Sequence, residues 1–302
     1  MITFFTTGKP FTGHNGVIQR NALKSWTLAA PGAEVMLFGD EEGAAETARD
    51  LGIRHVAQVE RAEMAGEANR CGPKILRSFF DAAQRMARYE VVCYANCDIV
   101  LLEDFCRAVR QLRESKKDFL MVGRRWDTEQ REPIDFSEAG WQEKMRTHAE
   151  MQGKQLGGDW IDYFCFPRGL YLGQLPELVI GRVHWDQWLV WKALQMGAAV
   201  VDASNAVMAV HQNHDYTYHP AGKAGVWSDE LAQRNYRLSG GRWHLRTIDD
   251  ATQVLGPDGL EENPARRKRT LRRTLRTAKE AVWMTALDWT RPVRRAMGIG
   301  KI

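Results

Sequence analysis

An acidic side chain at the end of a long apolar run is the first place in this sequence where chemistry is available. The run is Tyr89-Glu90-Val91-Val92-Cys93-Tyr94-Ala95-Asn96-Cys97-Asp98-Ile99-Val100-Leu101. Its β-branched and aromatic residues predict a buried strand that delivers Asn96 and Asp98 to its C-terminal edge. In open α/β sheets that edge forms the ligand crevice, and a carboxylate among apolar residues there needs a counter-charge, most simply a divalent cation. Mg²⁺ or Mn²⁺ is commonly held by one or two carboxylates plus substrate phosphates, so Asp98 suits a nucleotide-diphosphate site. Asn96, two residues earlier on the strand, falls on the same side and would hydrogen-bond a ribose or a metal-bound water. The competing reading gives Asp98 only a turn or a cap ahead of a helix near Glu103.

The elements that must position Asp98 follow from the pattern around it. Strand-like runs at Ile2 to Thr6, Glu34 to Phe38 and Arg54 to Val59 alternate with helical patterns near Val17 to Ala29, Glu41 to Leu51 and Pro73 to Ala87. That alternation predicts a mostly parallel central sheet flanked by helices. A helix around Glu103 to Arg113 and a strand at Asp118 to Val122 come next, and the polar stretch from Arg124 to Glu138 reads as a surface excursion. Tyr163 to Pro167 reads as a strand stopped by proline, Asp186 to Gln195 as a helix, and Ala198 to Val201 and Ala206 to Val210 as strands. The Gly256-Pro257-Asp258-Gly259 cluster closes the body.

Composition narrows the class. With 302 residues and 44% hydrophobic content the chain can bury a sizeable core. Five cysteines without a repeated Cys-x-x-Cys spacing read as reduced thiols of a cytoplasmic protein. Neither a signal peptide nor a run of ~20 apolar residues is visible. The net charge of +4 is uneven, because residues 265–302 hold 12 Lys+Arg against Glu280 and Asp288, leaving the preceding part net −6. In that tail Leu271, Leu275, Ala278, Val282 and Trp289 recur at helical spacing opposite an arginine-rich face, until Pro292. Such a helix suits an anionic bilayer surface, or else docks on the body with its charges in water. The acidic body argues against nucleic acid as a partner.

The segment Asn96-Cys97-Asp98 with Ile99-Val100-Leu101 behind it resembles the Asp-x-Asp region of GT-A glycosyltransferases, the nucleotide-diphospho-sugar transferase superfamily. The resemblance covers roughly residues 1 to 215. It implies a GT-A-like (Rossmann-like) α/β fold in which the last acid, Asp98, holds the Mn²⁺ or Mg²⁺ that bridges the donor diphosphate, while Asn stands where a first acid is often found. It also implies a glycosyltransferase domain over residues 1–255, with a nucleotide-sugar-binding half at 1–110 and an acceptor-binding half at 111–255, followed by a basic amphipathic tail at 256–302.

Several other segments fall where that family places function. Thr6-Thr7-Gly8-Lys9-Pro10 follows the first strand, as does the family's nucleotide-cupping loop, and gives Thr7 and Lys9 as donor-binding residues. Asn69 to Lys74 precedes the helix that leads into the Asp98 strand, and Lys74 in its first turn joins the donor set with Asn96 and Asp98, or is a solvated lysine. Gly157-Gly158-Asp159-Trp160-Ile161-Asp162-Tyr163 is similar to an acceptor-side loop, with Asp159 and Asp162 for sugar hydroxyls and Trp160 for stacking; both acids otherwise cap and turn the chain. His184-Trp185-Asp186-Gln187-Trp188 resembles the Trp-Asp motif of inverting members, which makes Asp186 the base that takes the acceptor's proton and puts Trp185 beside the acceptor. Burial by the tryptophans would raise the Asp186 pKa while the helix start would lower it, and a plain N-cap is the alternative. Metal-dependent members often close the site with a late histidine, which His211 or His214 would supply, His211 first because it ends a strand.

The function these residues imply is sugar transfer from a nucleotide-diphosphate sugar to a carbohydrate or lipid-linked acceptor, as in bacterial-type surface glycan synthesis, with inversion. The chain would be cytoplasmic, with residues 265–291 meeting the inner face of the cell membrane. Two other classes compete: a sugar-1-phosphate nucleotidyltransferase, disfavoured because no Gly-rich basic loop follows Thr6, and a non-catalytic membrane-associated adaptor. The Rossmann Gly-rich fingerprint and a P-loop are both absent.

Overall fold

Adjacent aromatic residues on single strands send their side chains to opposite faces of one sheet, and this splits the core in two. Phe4 packs with Trp26, Cys93, Phe105 and Tyr163 on one face, while Phe5 packs with Phe80, Tyr94, Phe164 and Trp185 on the other. The computed structural model describes residues 1–63, 72–115, 118–215, 221–257 and 259–266. Residues Met1–Glu262 form one compact unit. The membrane expectation for residues 265–291 lies almost wholly outside the described residues.

The elements run β1 (Thr3–Thr7), α1 (Gly13–Ala29), β2 (Glu34–Phe38), α2 (Ala44–Leu51), β3 (Arg54–Val56), α3 (Leu76–Met86), β4 (Val91–Ala95), β5 (Ile99–Leu101) and α4 (Glu103–Ser115). There follow β6 (Phe119–Val122), β7 (Arg125–Thr128), α5 (Trp141–Gln152), β8 (Lys154–Gln155), β9 (Tyr163–Pro167), α6 (Trp185–Gln195), β10 (Ala199–Asp202) and β11 (Ala209–Gln212). Then come α7 (Gly222–Ser228), α8 (Glu230–Leu238), β12 (Gln253–Gly256) and β13 (Gly259–Glu262). The main sheet has the order β13-β12-β10-β6-β9-β4-β1-β2-β3, and all its strands are parallel except β9 and β13. Its β4-β1-β2-β3 edge is the doubly wound arrangement that alternating strands and helices predict. The mostly parallel α/β fold expected from the sequence is the fold observed.

A second sheet has the order β5-β11-β7-β8, and the structure corrects three local expectations. The strand before Asp98 ends at Ala95, so Asn96, Cys97 and Asp98 form a turn rather than a strand end. Ile99–Leu101 then pairs antiparallel with β11. The supposed surface excursion contains β7, which pairs parallel with β11 and has Arg125 and Thr128 buried. Its charged residues face partners inside the protein, so polarity did not mean exposure here. Lastly, α3 starts at Leu76, which leaves Lys74 ahead of the helix rather than in its first turn.

Helix α1 fixes the turn that carries Asp98. The Trp26 indole donates to the Ile99 carbonyl at 2.8 Å, and Ser25 Oγ accepts from the Leu101 amide at 3.2 Å. Buried Gln212 on β11 donates to the Asp98 carbonyl at 3.1 Å and to Ile18 at 2.8 Å, and accepts from Asn21 at 2.9 Å. Its own amide also reaches the Asp98 carbonyl at 3.2 Å. These bonds join the main sheet, the small sheet and α1 at one residue. None of the helices among the described residues is long and apolar enough to cross a membrane.

Candidate active site

The carboxyl ends of β1, β4 and β11 and the start of antiparallel β9 meet at one side of the main sheet. Above them opens a cleft of about 1200 Å³. Every residue proposed from the sequence lines it: Thr7, Lys9, Lys74, Asn96, Asp98, Asp159, Trp160, Asp162, Trp185, Asp186, His211 and His214.

Asp98, His211 and His214 come together at its floor, each offering one ligand atom within 4.8 Å of the others. His214 Nε2 lies 3.1 Å and His211 Nε2 3.9 Å from Asp98 Oδ2. The spacing of three in sequence does not separate the histidines, because His211 lies on β11, one residue before its end, and His214 folds back from the following loop. Their rings stand 5.5 Å apart at 61°. Asp98 Oδ1 is buried with no hydrogen-bond partner among the described residues. An unpartnered carboxylate oxygen beside two imidazoles fits a divalent cation, and this donor set suits Mn²⁺. Burial pushes the Asp98 carboxyl up, but the charges of His211, His214 and Lys9 outweigh it and hold the group well below the usual carboxylate range.

Asp127 on β7 is the residue this cluster adds to the expected set. Its Oδ1 lies 3.1 Å from His211 Nδ1 and 2.8 Å from Arg125 Nε. The geometry is that of a charge contact rather than a hydrogen bond, and a carboxylate on that side of the ring favours a proton at Nδ1 and leaves Nε2 facing Asp98. The signal was present in the sequence: Arg125 and Asp127 are two apart, hence on one face of a strand. It was hidden because the stretch reads as polar surface.

Arg125 connects the cluster to the next part of the cleft. Its Nη1 donates to Asp162 Oδ2 at 2.8 Å, and its guanidinium stands 4.7 Å from the Trp160 ring centroid. Asp162 Oδ1 accepts from Asn96 Nδ2, and Tyr94 Oη donates to Asn96 Oδ1 at 2.8 Å. Asn96 and Asp162 therefore spend much of their hydrogen-bonding capacity on each other and on Arg125. Asp159 is exposed and Trp160 half-buried, with its ring 6.1 Å from that of Trp227. Trp185 is almost fully buried, edge-on to Tyr94 at 5.5 Å, so most of its surface belongs to the core.

Two lysines differ. Lys9 Nζ sits 3.2 Å from His214 Nε2, next to the cation cluster, and burial holds its pKa down. Lys74 is no solvated surface group: it is buried, pairs with Glu41 and donates to the Gly8 carbonyl at 3.0 Å. A Cβ on Gly39, whose φ is +111°, would stand 2.5 Å from Lys74 Cε, so only glycine admits the lysine there. Thr7 Oγ1 is buried at the cleft without a hydrogen-bond partner among the described residues.

Asp186, which lines the same cleft, lies in the first turn of α6. Burial raises its pKa to about 7, assisted by Asp162 and Asp159, and outweighs the lowering by the amides of Gln187 and Asp186. The competition left open by the sequence is decided by desolvation, and the result is a carboxylate poised near neutrality, where a general base works best.

No family model and no curated protein matches the chain. Solved structures do. One is a mannosyltransferase from Pyrobaculum calidifontis in complex with GDP-Man and Mn²⁺: 15% identity, TM-score 0.40, covering 70% of this chain and 56% of that one. Another is S. aureus TarS 1-349 in complex with UDP-GlcNAc: 12% identity, TM-score 0.43, covering 70% and 58%. A third is glucosyl-3-phosphoglycerate synthase from Mycobacterium tuberculosis in complex with Mg²⁺ and UDP: 14% identity, TM-score 0.42, covering 71% and 72%. The chain thus spans little more than half the length of the first two. At such scores the likenesses add nothing to the geometry above, and the chemistry rests on the cleft's own residues.

Proposed function

We propose that this protein is a metal-dependent glycosyltransferase that moves a sugar from a nucleotide-diphosphate sugar to a carbohydrate or lipid-linked acceptor, with inversion at the anomeric carbon. The observation that carries the reading is one cleft lined both by a cluster able to hold a cation and by a carboxyl whose pKa is raised to about 7. Asp98, His211 and His214 would hold Mn²⁺ in preference to Mg²⁺, since two of three ligands are imidazoles. Bound there, the cation would offset the charge of the departing diphosphate.

The chain's own residues supply the rest. Thr7, Lys9 and the first loop border the donor's phosphate end, Lys9 as a cation beside the cluster. Asp159 and Trp160 bind the acceptor, one through its hydroxyls and the other through a ring face; Asp162 and Trp185 support that wall. Asp186 takes the proton from the acceptor hydroxyl as that oxygen bonds to the anomeric carbon and the glycosyl–phosphate bond breaks. Residues 1–110 form the donor half and 111–255 the acceptor half. The tail at 256–302, through residues 265–291, brings the enzyme to the inner membrane face for surface glycan synthesis.

The test is a hydrolysis and transfer screen across UDP-, GDP-, CMP- and dTDP-sugars with Mn²⁺. One nucleotide series should be cleaved with a strict need for the metal. Binding of nucleoside triphosphate with sugar 1-phosphate would indicate a nucleotidyltransferase, and no metal-dependent diphosphate binding at all would leave only the adaptor.

A further inference from the structure

His184 is the sole non-glycine residue among the described residues with positive φ, at +84°. The left-handed region is costly for a side chain with a Cβ; histidine, asparagine and aspartate enter it more often than other such residues, and glycine enters it most readily. The chain therefore keeps an imidazole at a point where glycine would serve the backbone at less cost.

What imposes the conformation is visible around it. Asn235, buried on α8, accepts from the Val179 amide at 2.9 Å and donates to the carbonyls of Val179 at 2.9 Å and Val183 at 3.1 Å. Arg182 Nε donates to Asp229 Oδ2 at 2.7 Å, and the Asp229 side chain in turn caps α8. The His184 carbonyl accepts from the Trp188 amide at 3.1 Å as the first bond of α6. Residues 179–184 are thus clamped between α8 and α6, and His184 must turn sharply to let α6 begin where Asp186 reaches the cleft.

The fold gains little from the imidazole itself. It makes no hydrogen bond among the described residues, and its one recorded ring partner there is Tyr236, 5.3 Å away and itself 41% exposed. It lines the cleft, as does Asp186 two residues on. Strain held by a rigid surround at a cleft wall points to function. Half-burial also keeps this imidazole below its ordinary pKa, hence neutral at pH 7, with one donor and one acceptor nitrogen. A sugar hydroxyl offers the complementary acceptor and donor.

Building on the proposed transferase reading, we infer that His184 is an acceptor-positioning residue: its imidazole, held in a left-handed turn by Asn235 and the start of α6, binds a hydroxyl of the carbohydrate acceptor beside Asp186. The experiment compares wild type with His184→Asn and His184→Gly, two residues that accept this backbone. Three measurements are made: melting temperature, acceptor KM across octyl glycosides of glucose, galactose, mannose and N-acetylglucosamine, and the affinity for UDP and GDP with Mn²⁺. The acceptor KM should rise at least about tenfold in both variants, the loss expected when one hydrogen bond to a substrate hydroxyl is removed. Melting temperature should stay within about 2 °C of wild type or rise, because strain is relieved. An unchanged acceptor KM would overturn the assignment, and so would a fall of more than about 5 °C in both variants, which would make the imidazole a structural element. Wild-type protein that binds neither diphosphate with Mn²⁺ would instead refute the transferase reading, a result no His184 variant can produce.

Discussion

Two regions of the cleft treat the same side chain in opposite ways. Asp98 sits among His211, His214 and Lys9 and is held ionised, whereas Asp186 has the acids Asp162 and Asp159 near it and is pushed up to about 7. Both are desolvated, so burial does not separate them. What does is the neighbourhood: Lys9 and the two imidazoles beside Asp98 overcome the cost of burying a carboxylate, and the acids near Asp186 add to it. In the proposed mechanism the first environment serves a ligand and the second a base, since environments that push two carboxyls apart suit them to different roles.

The comparison is broken most severely on the Asp98 side. Asp98→Ala should abolish Mn²⁺-dependent diphosphate binding and lower transfer by about 10³-fold or more, measured by calorimetry and turnover. Retention of metal-dependent binding would mean that the cation sits elsewhere. On the other side, Asp186→Asn should cut turnover by about 10²–10⁴-fold while diphosphate affinity stays at its wild-type value. In wild type, kcat/KM should fall about tenfold per pH unit below 7 as Asp186 takes up its proton, a limb the Asn variant lacks.

Smaller effects sharpen the contrast. Asp127→Asn removes the charge that orients His211, and Mn²⁺ should bind about 10–100-fold more weakly, with the Asp186 pH limb unmoved. Equal affinity would show that His211 needs no such partner. Least in size is a stability effect. Because the folded pKa of Asp186 lies above the unfolded value of 3.8, its contribution is present at low pH and lost as pH rises through about 7. The melting temperature of Asp186→Asn relative to wild type should therefore climb between pH 4 and pH 8, by about 2–4 °C for each kcal/mol that ionising Asp186 costs the fold.

Much of this was legible in the residues. The alternation of apolar strands with amphipathic helices fixed the parallel sheet, because both faces of each strand are buried and the runs are continuously apolar. Asp98 was legible because it follows an apolar run, while the two histidines entered through the resemblance to GT-A enzymes, which often close the site with a late histidine. The small sheet was not, since β7 carries Arg125 and Asp127, whose partners Asp162 and His211 lie 37 and 84 residues further along the chain. Charges buried by distant partners look like surface when read alone. The same holds for Lys74, whose burial depends on Glu41, and for His184, whose backbone is set by Asn235 on a later helix.

Pulsed electron paramagnetic resonance of Mn²⁺ added to the full chain with UDP or GDP reads the central cluster most directly. One bound ion per chain should show couplings to two imidazole nitrogens, and His211→Ala or His214→Ala should each remove one of them. Bound Mn²⁺ without nitrogen couplings, or no bound ion, would contradict the account.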